Sequence, residues 1–209
     1  MNTLSININS LGKGDFKTPW VRSLIQKHSI NFACIQETIR KHLDDRKISS
    51  IWGSYDFDYT YQNSIGKGGG LVSIWNKDLF HKTGDLIQRD CIIVYGTWKE
   101  TGQPICFVNV YASQNPNTRA ALWDLITSFL RNWDGLSIIC GDFNDVRVPE
   151  ERRGSHFDIR ASTRFNQCIK SSQLIDCKIG GCTFTWANKQ GTKLSKLDRF
   201  LISDSVGLL

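Results

Sequence analysis

No apolar run in these 209 residues approaches the roughly 18 residues of a membrane-spanning helix. Residues 1–10 carry neither a basic region nor the apolar stretch of a secretory signal, so the expected setting is soluble and intracellular, with no membrane partner. C-x-x-C pairs are absent. The seven cysteines are odd in number, and several sit inside apolar runs such as Ile105-Cys106-Phe107 and Ile139-Cys140. Together with four scattered histidines, that pattern argues against a zinc site and a disulfide framework, and for buried thiols in a reducing compartment without a disulfide partner. Internal repeats, low-complexity tracts and linkers are missing. The run Gly66-Lys67-Gly68-Gly69-Gly70 lacks the G-x-x-x-x-G-K-[ST] spacing, which argues against a nucleotide-binding P-loop and leaves a turn leading into a strand.

What is present describes one folded domain over residues 1–209. A 40% hydrophobic and 22% charged composition excludes a disordered or fibrous chain. A chain of this length buries roughly 70% of its unfolded surface and needs no covalent staple. The net charge is +6, and between Arg147 and Arg199 eleven Lys or Arg stand against five Asp or Glu, a difference equal to the whole excess. A basic face of this kind suits a phosphate-rich partner, and a solvated Lys-rich surface fits the same count.

Periodicity supplies the elements. Leu4, Ile6 and Ile8 alternate with polar residues as in a half-buried strand. Thr18-Pro19 reads as an N-cap and first helical residue, opening a helix to about His28. Apolar strands are expected at Phe32 to Gln36, Leu71 to Trp75, Cys91 to Trp98, Ile105 to Tyr111 and Leu136 to Cys140. Tyr55 to Tyr61 alternates aromatic and polar residues, and residues 40 to 50 show a weak helical pattern. Helices are expected from Asn115-Pro116-Asn117 to about Asn132 and near Ile159 to Ser171, with late strands around Thr183 to Trp186 and Leu194 to Ile202. Strands outnumber helices and hairpins are frequent, which favours an α+β fold, a two-sheet β-sandwich flanked by helices, over a doubly wound parallel sheet.

The chemistry lies at the strand ends. Asn7, Glu37, Tyr111 and Asp142 each fall at or just past the C-terminal end of an expected strand, so strands ending at one sheet edge would gather them into one cleft. Singly, each has a plainer reading: Asp142 and Asn144 as turn caps, Glu37 as a helix start, Tyr111 as core. Together they offer a carboxylate suited to Mg²⁺ in Glu37, a base for water in Asp142, and neutral donors to phosphate oxygens in Asn144, Asn7 and Tyr111. That set describes hydrolysis of a phosphate ester.

The same residues carry a family resemblance. Asn7-Ile8-Asn9-Ser10-Leu11-Gly12, Cys34-Ile35-Gln36-Glu37-Thr38, Gly68-Gly69-Gly70-Leu71, Asn109-Val110-Tyr111-Ala112 and Gly141-Asp142-Phe143-Asn144 fall in the order of the motifs of the endonuclease/exonuclease/phosphatase superfamily. With Phe184-Thr185-Trp186-Ala187-Asn188 and Ser195-Lys196-Leu197-Asp198-Arg199, the chain most resembles the endonuclease domain of LINE-type non-LTR retrotransposons, especially those of plants. The resemblance implies a DNase I-like four-layer α/β/β/α fold and a Mg²⁺-dependent DNA endonuclease, with Mn²⁺ as the alternative ion. It assigns water activation to Asp142 with Asn144 beside it, metal binding to Glu37 with support from Asn7, and contact with the scissile phosphate to Tyr111. Thr185, Ser195 and Arg199 would meet the DNA backbone, and Asp198 would orient a catalytic histidine. DNA is the implied partner, a reverse transcriptase domain the expected neighbour in a full-length element, and the nucleus the implied location.

One departure stands out. The family's catalytic histidine lies in a later Ser-Asp-His motif, and none of His28, His42, His81 or His156 occupies a matching position. Ser203-Asp204 is followed by Ser205 and lies too close to Asp198. The expectation is therefore a domain lacking its last strand, a nuclease by descent with weak or no activity. The alternatives are a phosphatase of the same superfamily and an inactive nucleic-acid-binding retroelement fragment.

Overall fold

The computed structural model describes residues 1–11, 16–64, 68–204 and 206. Gly12 of the first motif, Gly66 and Lys67 of the glycine run, and Ser205 lie outside them.

Two sheets face each other. The smaller has the order β1-β2-β4-β3, from β1 (Thr3–Asn7), β2 (Phe32–Gln36), β3 (Phe57–Gln62) and β4 (Leu71–Asn76). β1 runs parallel to β2, the other pairs are antiparallel, and β1 forms an open edge. The larger has the order β10-β13-β8-β7-β6-β5, from β5 (Phe80–Ile87), β6 (Cys91–Trp98), β7 (Gln103–Tyr111), β8 (Leu136–Asp142), β10 (Leu174–Asp176) and β13 (Asp198–Ser203). A small third sheet joins β11 (Trp186–Ala187), β12 (Leu194–Ser195) and β9 (Arg152–Arg153).

Three apolar layers hold this together. Between the sheets, Phe32, Cys34 and Trp75 pack against Phe80, Phe107, Ile138 and Cys140. Outside the smaller sheet, Ala33, Ile35, Val72 and Ile74 meet Val21 and Ile25 of α1 (Lys17–Lys27) and Ile48, Ile51 and Trp52 of α2 (Asp45–Trp52). Outside the larger sheet, Ile93, Val108 and Ile139 meet Leu122, Trp123 and Ile126 of α3 (Pro116–Arg131) and Phe165 and Ile169 of α4 (Ile159–Ser171). Strands covered on both faces read as continuous apolar runs, which is why β2 and β8 are buried along their whole length. The fold is the four-layer α/β/β/α sandwich.

Alternation along the strands then sets which side chains face the space between the sheets. In β2 the inter-sheet series is Phe32, Cys34, Gln36. In β7 it is Ile105, Phe107, Asn109, Tyr111; in β8 Ile138, Cys140, Asp142; in β13 Ile202, Phe200, Asp198. Each series ends in a polar residue at the same end of the sandwich.

Three local expectations need correction. α1 begins at Lys17 with Phe16 as its cap residue and no side-chain cap bond. Thr18 is not the N-cap but a buried helical residue accepting from Lys47 Nζ at 3.0 Å, and Pro19 is tolerated because first-turn N–H groups have no intrahelical partner. β5, which periodicity did not reveal, is an edge strand with charged residues and a register irregularity between Lys82 and Gly84. The expected strand from Leu194 to Ile202 is two strands in different sheets, broken at Lys196-Leu197.

Candidate active site

Three of these polar ends, Tyr111, Asp142 and Asp198, meet Asn7, Glu37, Asn144 and Thr185 in a cleft of about 570 Å³ that Gln114, Trp186, Ser5, Ile6 and Asn9 also line. Asp142 is at its centre. Register places Tyr111 beside it on one neighbouring strand and Asp198 on the other. It is only 7% exposed. Its Oδ1 accepts from the Asn144 backbone N–H at 2.9 Å, and its Oδ2 from Asn7 Nδ2 at 3.3 Å. Burial, with the negative charge of Asp198 second, pushes its carboxyl up to about 6 against those hydrogen bonds. Asp198 is itself raised by burial.

Glu37 reaches the cleft by a backbone device. Simple alternation past Gln36 would point it toward the helices, but it adopts φ +55°, a left-handed conformation uncommon outside glycine. Tyr111 Oη donates a short hydrogen bond to Glu37 Oε1, and burial together with this bond holds the phenol well above its ordinary pKa, so it stays protonated. Asn9 (φ +44°) and Asn144 (φ +48°) are left-handed as well. Backbone strain of this kind gathers at functional sites. Asn144 Nδ2 donates to the Ala112 carbonyl at 2.7 Å, tying the β8 turn to the end of β7.

Beneath the cleft, two motif residues serve the fold. Gln36 Nε2 donates to Asn109 Oδ1 at 2.8 Å, and Asn109 Nδ2 donates to the Val72 carbonyl at 3.0 Å, a fully buried amide bridge joining the sheets. Arg119, buried against Asp145 at 3.1 Å, donates to the carbonyls of Ser113 and Gln114 and so holds the loop that brings Gln114 to the cleft.

The three expected DNA contacts separate. Thr185 lines the cleft, its Oγ1 accepting from the Leu197 and Asp198 N–H groups at 3.0 Å. Ser195 is buried at 3% exposure, pairs within the small sheet and does not line the cleft. Arg199 is corrected outright. It follows Asp198 in a strand, so it points to the opposite face, where it lies 1% exposed, paired with Glu151 and Asp176 and over the Phe165 ring. Arg147 and Lys196 join the same carboxylates, so three cations of the basic window turn inward. Arg153, Lys189 and Lys193 remain exposed in and around the small sheet that carries Trp186. His28, His42, His81 and His156 all lie outside the cleft.

Glu37 fits a hard divalent cation. No described residue engages its second oxygen, and Asn7 Oδ1, which accepts from the Asn9 N–H at 3.1 Å, keeps a further lone pair. Among the described residues no group of three or more His, Cys, Asp or Glu forms a metal cage. Mg²⁺ does not require one, since it typically takes one or two protein carboxylates and completes its shell with water and substrate oxygens.

Residues 4–209 match the endonuclease/exonuclease/phosphatase family, and the chain belongs to it. Its structure resembles the AP endonuclease LMAP from Leishmania major (TM-score 0.74, 12% identity, 97% of this chain and 78% of that one). It also resembles the 3′ phosphatase NExo from Neisseria bound to product DNA hairpin (TM-score 0.74, 15% identity, 99% and 87%). The endonuclease domain of TRAS1, a telomere-specific non-LTR retrotransposon, is similar as well (TM-score 0.68, 13% identity, 99% and 87%). At these identities the likeness shows the shared fold. No curated protein sequence matches the chain. Among the described residues no helix is long and apolar enough to cross a membrane.

Gln114 and Trp186 escaped the sequence reading as site residues. Gln114 follows the end of β7 by three residues and carried a positional signal; Trp186 sits inside a recognised motif but reads equally as core.

Proposed function

We propose that this chain is a Mg²⁺-dependent DNA endonuclease of LINE-type retrotransposon origin that nicks one strand by phosphodiester hydrolysis. The observation that carries the reading is the convergence of Asn7, Glu37, Tyr111, Asp142 and Asp198, from five separate strands and turns, on one cleft whose central carboxyl is poised near pH 6. Glu37, with Asn7 beside it, would hold the ion, which supplies Lewis-acid stabilisation of charge on the phosphate oxygens.

The chain's own residues do the rest. Asp142, aligned by Asn7 and the Asn144 N–H, accepts the proton of the attacking water as its oxygen bonds to phosphorus. A base with a pKa near the working pH suits that step. The P–O3′ bond breaks, and the 3′-oxygen takes a proton to leave 3′-hydroxyl and 5′-phosphate ends. Among the described residues no imidazole lines the cleft beside Asp198, so water supplies that proton. Loss of a general acid typically costs about 10²–10⁴-fold in rate. Exposed Arg153, Lys189 and Lys193 provide backbone attraction for DNA on the Trp186 side. In a full-length element the 3′-hydroxyl would prime a reverse transcriptase acting in the nucleus.

The test is nicking of supercoiled plasmid with Mg²⁺ by the chain and by Asp142→Ala. Conversion to open circle by the first and not the second supports the reading. Equal conversion by both would overturn it.

A further inference from the structure

Two turns bring side chains to the cleft: residues 112–115 after β7 supply Gln114, and residues 143–146 after β8 supply Asn144. Hydrogen bonds lace the two together. The Ala112 N–H donates to the Asp142 carbonyl at 2.8 Å, and Asn144 Nδ2 donates back to the Ala112 carbonyl. Arg119 makes the remaining ties. Its Nε donates to Asp145 Oδ2 at 3.1 Å, and its Nη1 donates to the Ser113 and Gln114 carbonyls at 3.0 and 2.8 Å, the peptide groups on either side of Gln114. Arg119 and Asp145 are both buried.

A cation is disfavoured at this place. Arg119 lies in the first turn of α3, where its N–H makes a bond back to the Asn115 carbonyl at 3.0 Å and the helix dipole opposes positive charge. A buried ion pair is often less stabilising than well-packed apolar residues of similar volume. Nor is the charge a cap, because Asn115 Oδ1 accepts from the Asn117 and Thr118 N–H groups and Pro116 opens the helix. What the guanidinium supplies, and an apolar side chain cannot, is a fork of donors that fixes both flanks of Gln114. Gln114 itself is exposed at the cleft, and no described residue hydrogen-bonds its side-chain amide.

We propose that Arg119 is a positioning residue for the cleavage reaction: paired with Asp145 and bonded to both peptide groups around Gln114, it presents the free Gln114 amide to the substrate at a fixed place beside Asp142. The inference rests on the endonuclease reading. Arg119 acts through Gln114 and touches no substrate.

The test is a double-mutant cycle in kcat/KM for Mg²⁺-dependent nicking of supercoiled plasmid, using the 209-residue chain, Arg119→Lys, Gln114→Ala and the two combined. Arg119→Lys keeps a positive charge facing Asp145 but lacks the planar fork that spans two carbonyls. Each single change should lower kcat/KM by about tenfold, the usual contribution of one hydrogen bond to a charged group. The combination should be no slower than Gln114→Ala alone, because the two residues act as one unit. The pH midpoint of nicking should stay at the parent's value, since the charge of Arg119 is not among those that shift Asp142. Single losses that multiply to about a hundredfold would show two independent roles and overturn the proposal. So would an Arg119→Lys chain as active as the parent. Should Arg119→Lys fail to fold, Arg119→Met with Asp145→Leu removes both buried charges together, a change that apolar packing often tolerates, and enters the same cycle with the same expectation. A parent chain that does not nick, or that nicks equally as Asp142→Ala, overturns the endonuclease reading and this role together; multiplying losses in a chain that Asp142→Ala silences overturn the role alone.

Discussion

Asp198 stands directly opposite Asp142 across the antiparallel pair β13–β8, and the charge of the first helps hold the carboxyl of the second near pH 6. Two carboxyls so placed, both pushed up by burial, resist ionising together.

Nicking should therefore rise with pH through about 6 and then level, as Asp142 loses its proton. Asp198→Asn removes the like charge and should move the midpoint to lower pH. Initial nicking rates from pH 5 to 8 check both; a midpoint unmoved by Asp198→Asn would show that the two carboxyls do not interact.

Stability should follow the opposite course. Because the folded pKa of Asp142 is above its ordinary value of 3.8, the folded state retains a proton between about pH 4 and 6 that the unfolded chain has released. Stability from this group is then lost as pH rises through that window and stays lost above it. Asp142→Asn should abolish nicking yet stabilise the chain at pH 7 by up to about 2 kcal/mol, or several degrees in Tm. Calorimetry at pH 4 and pH 7 should show the gain at pH 7 only.

Tyr111→Phe removes the hydroxyl that steadies Glu37. The concentration of Mg²⁺ giving half-maximal nicking should increase several-fold, and chelation with EDTA should abolish nicking in both proteins. A Mg²⁺ titration identical to the parent's would separate Tyr111 from metal placement.

The Arg199 network should behave as structure. Arg199→Ala leaves Glu151 and Asp176 without their enclosed partner, and breaking such a pair costs about 3–5 kcal/mol. A lowered urea midpoint is the expected readout. Asn109→Leu, which takes away one acceptor of Gln36 Nε2 and the side-chain donor to the Val72 carbonyl, should cost about 1–3 kcal/mol in the same measurement.

The layer order and the strand-end positions of Asn7, Glu37, Tyr111 and Asp142 were legible in the one-dimensional pattern, because strands enclosed on both faces must be apolar throughout and stop where polar residues begin. β5 was not legible, since an edge strand buries too little to impose a pattern. Nor was the separation of Asp198 from Arg199. Adjacent in the chain, they are sent by the pleat of one strand to opposite faces, one into the cleft and the other into a closed ion-pair network. Glu37 depended on a left-handed residue that residue type does not announce. Local chemistry sets which segments become strands and which residues could act. Which of those residues meet is set by register between distant strands, a property of the packed sheets that no stretch of the chain contains alone.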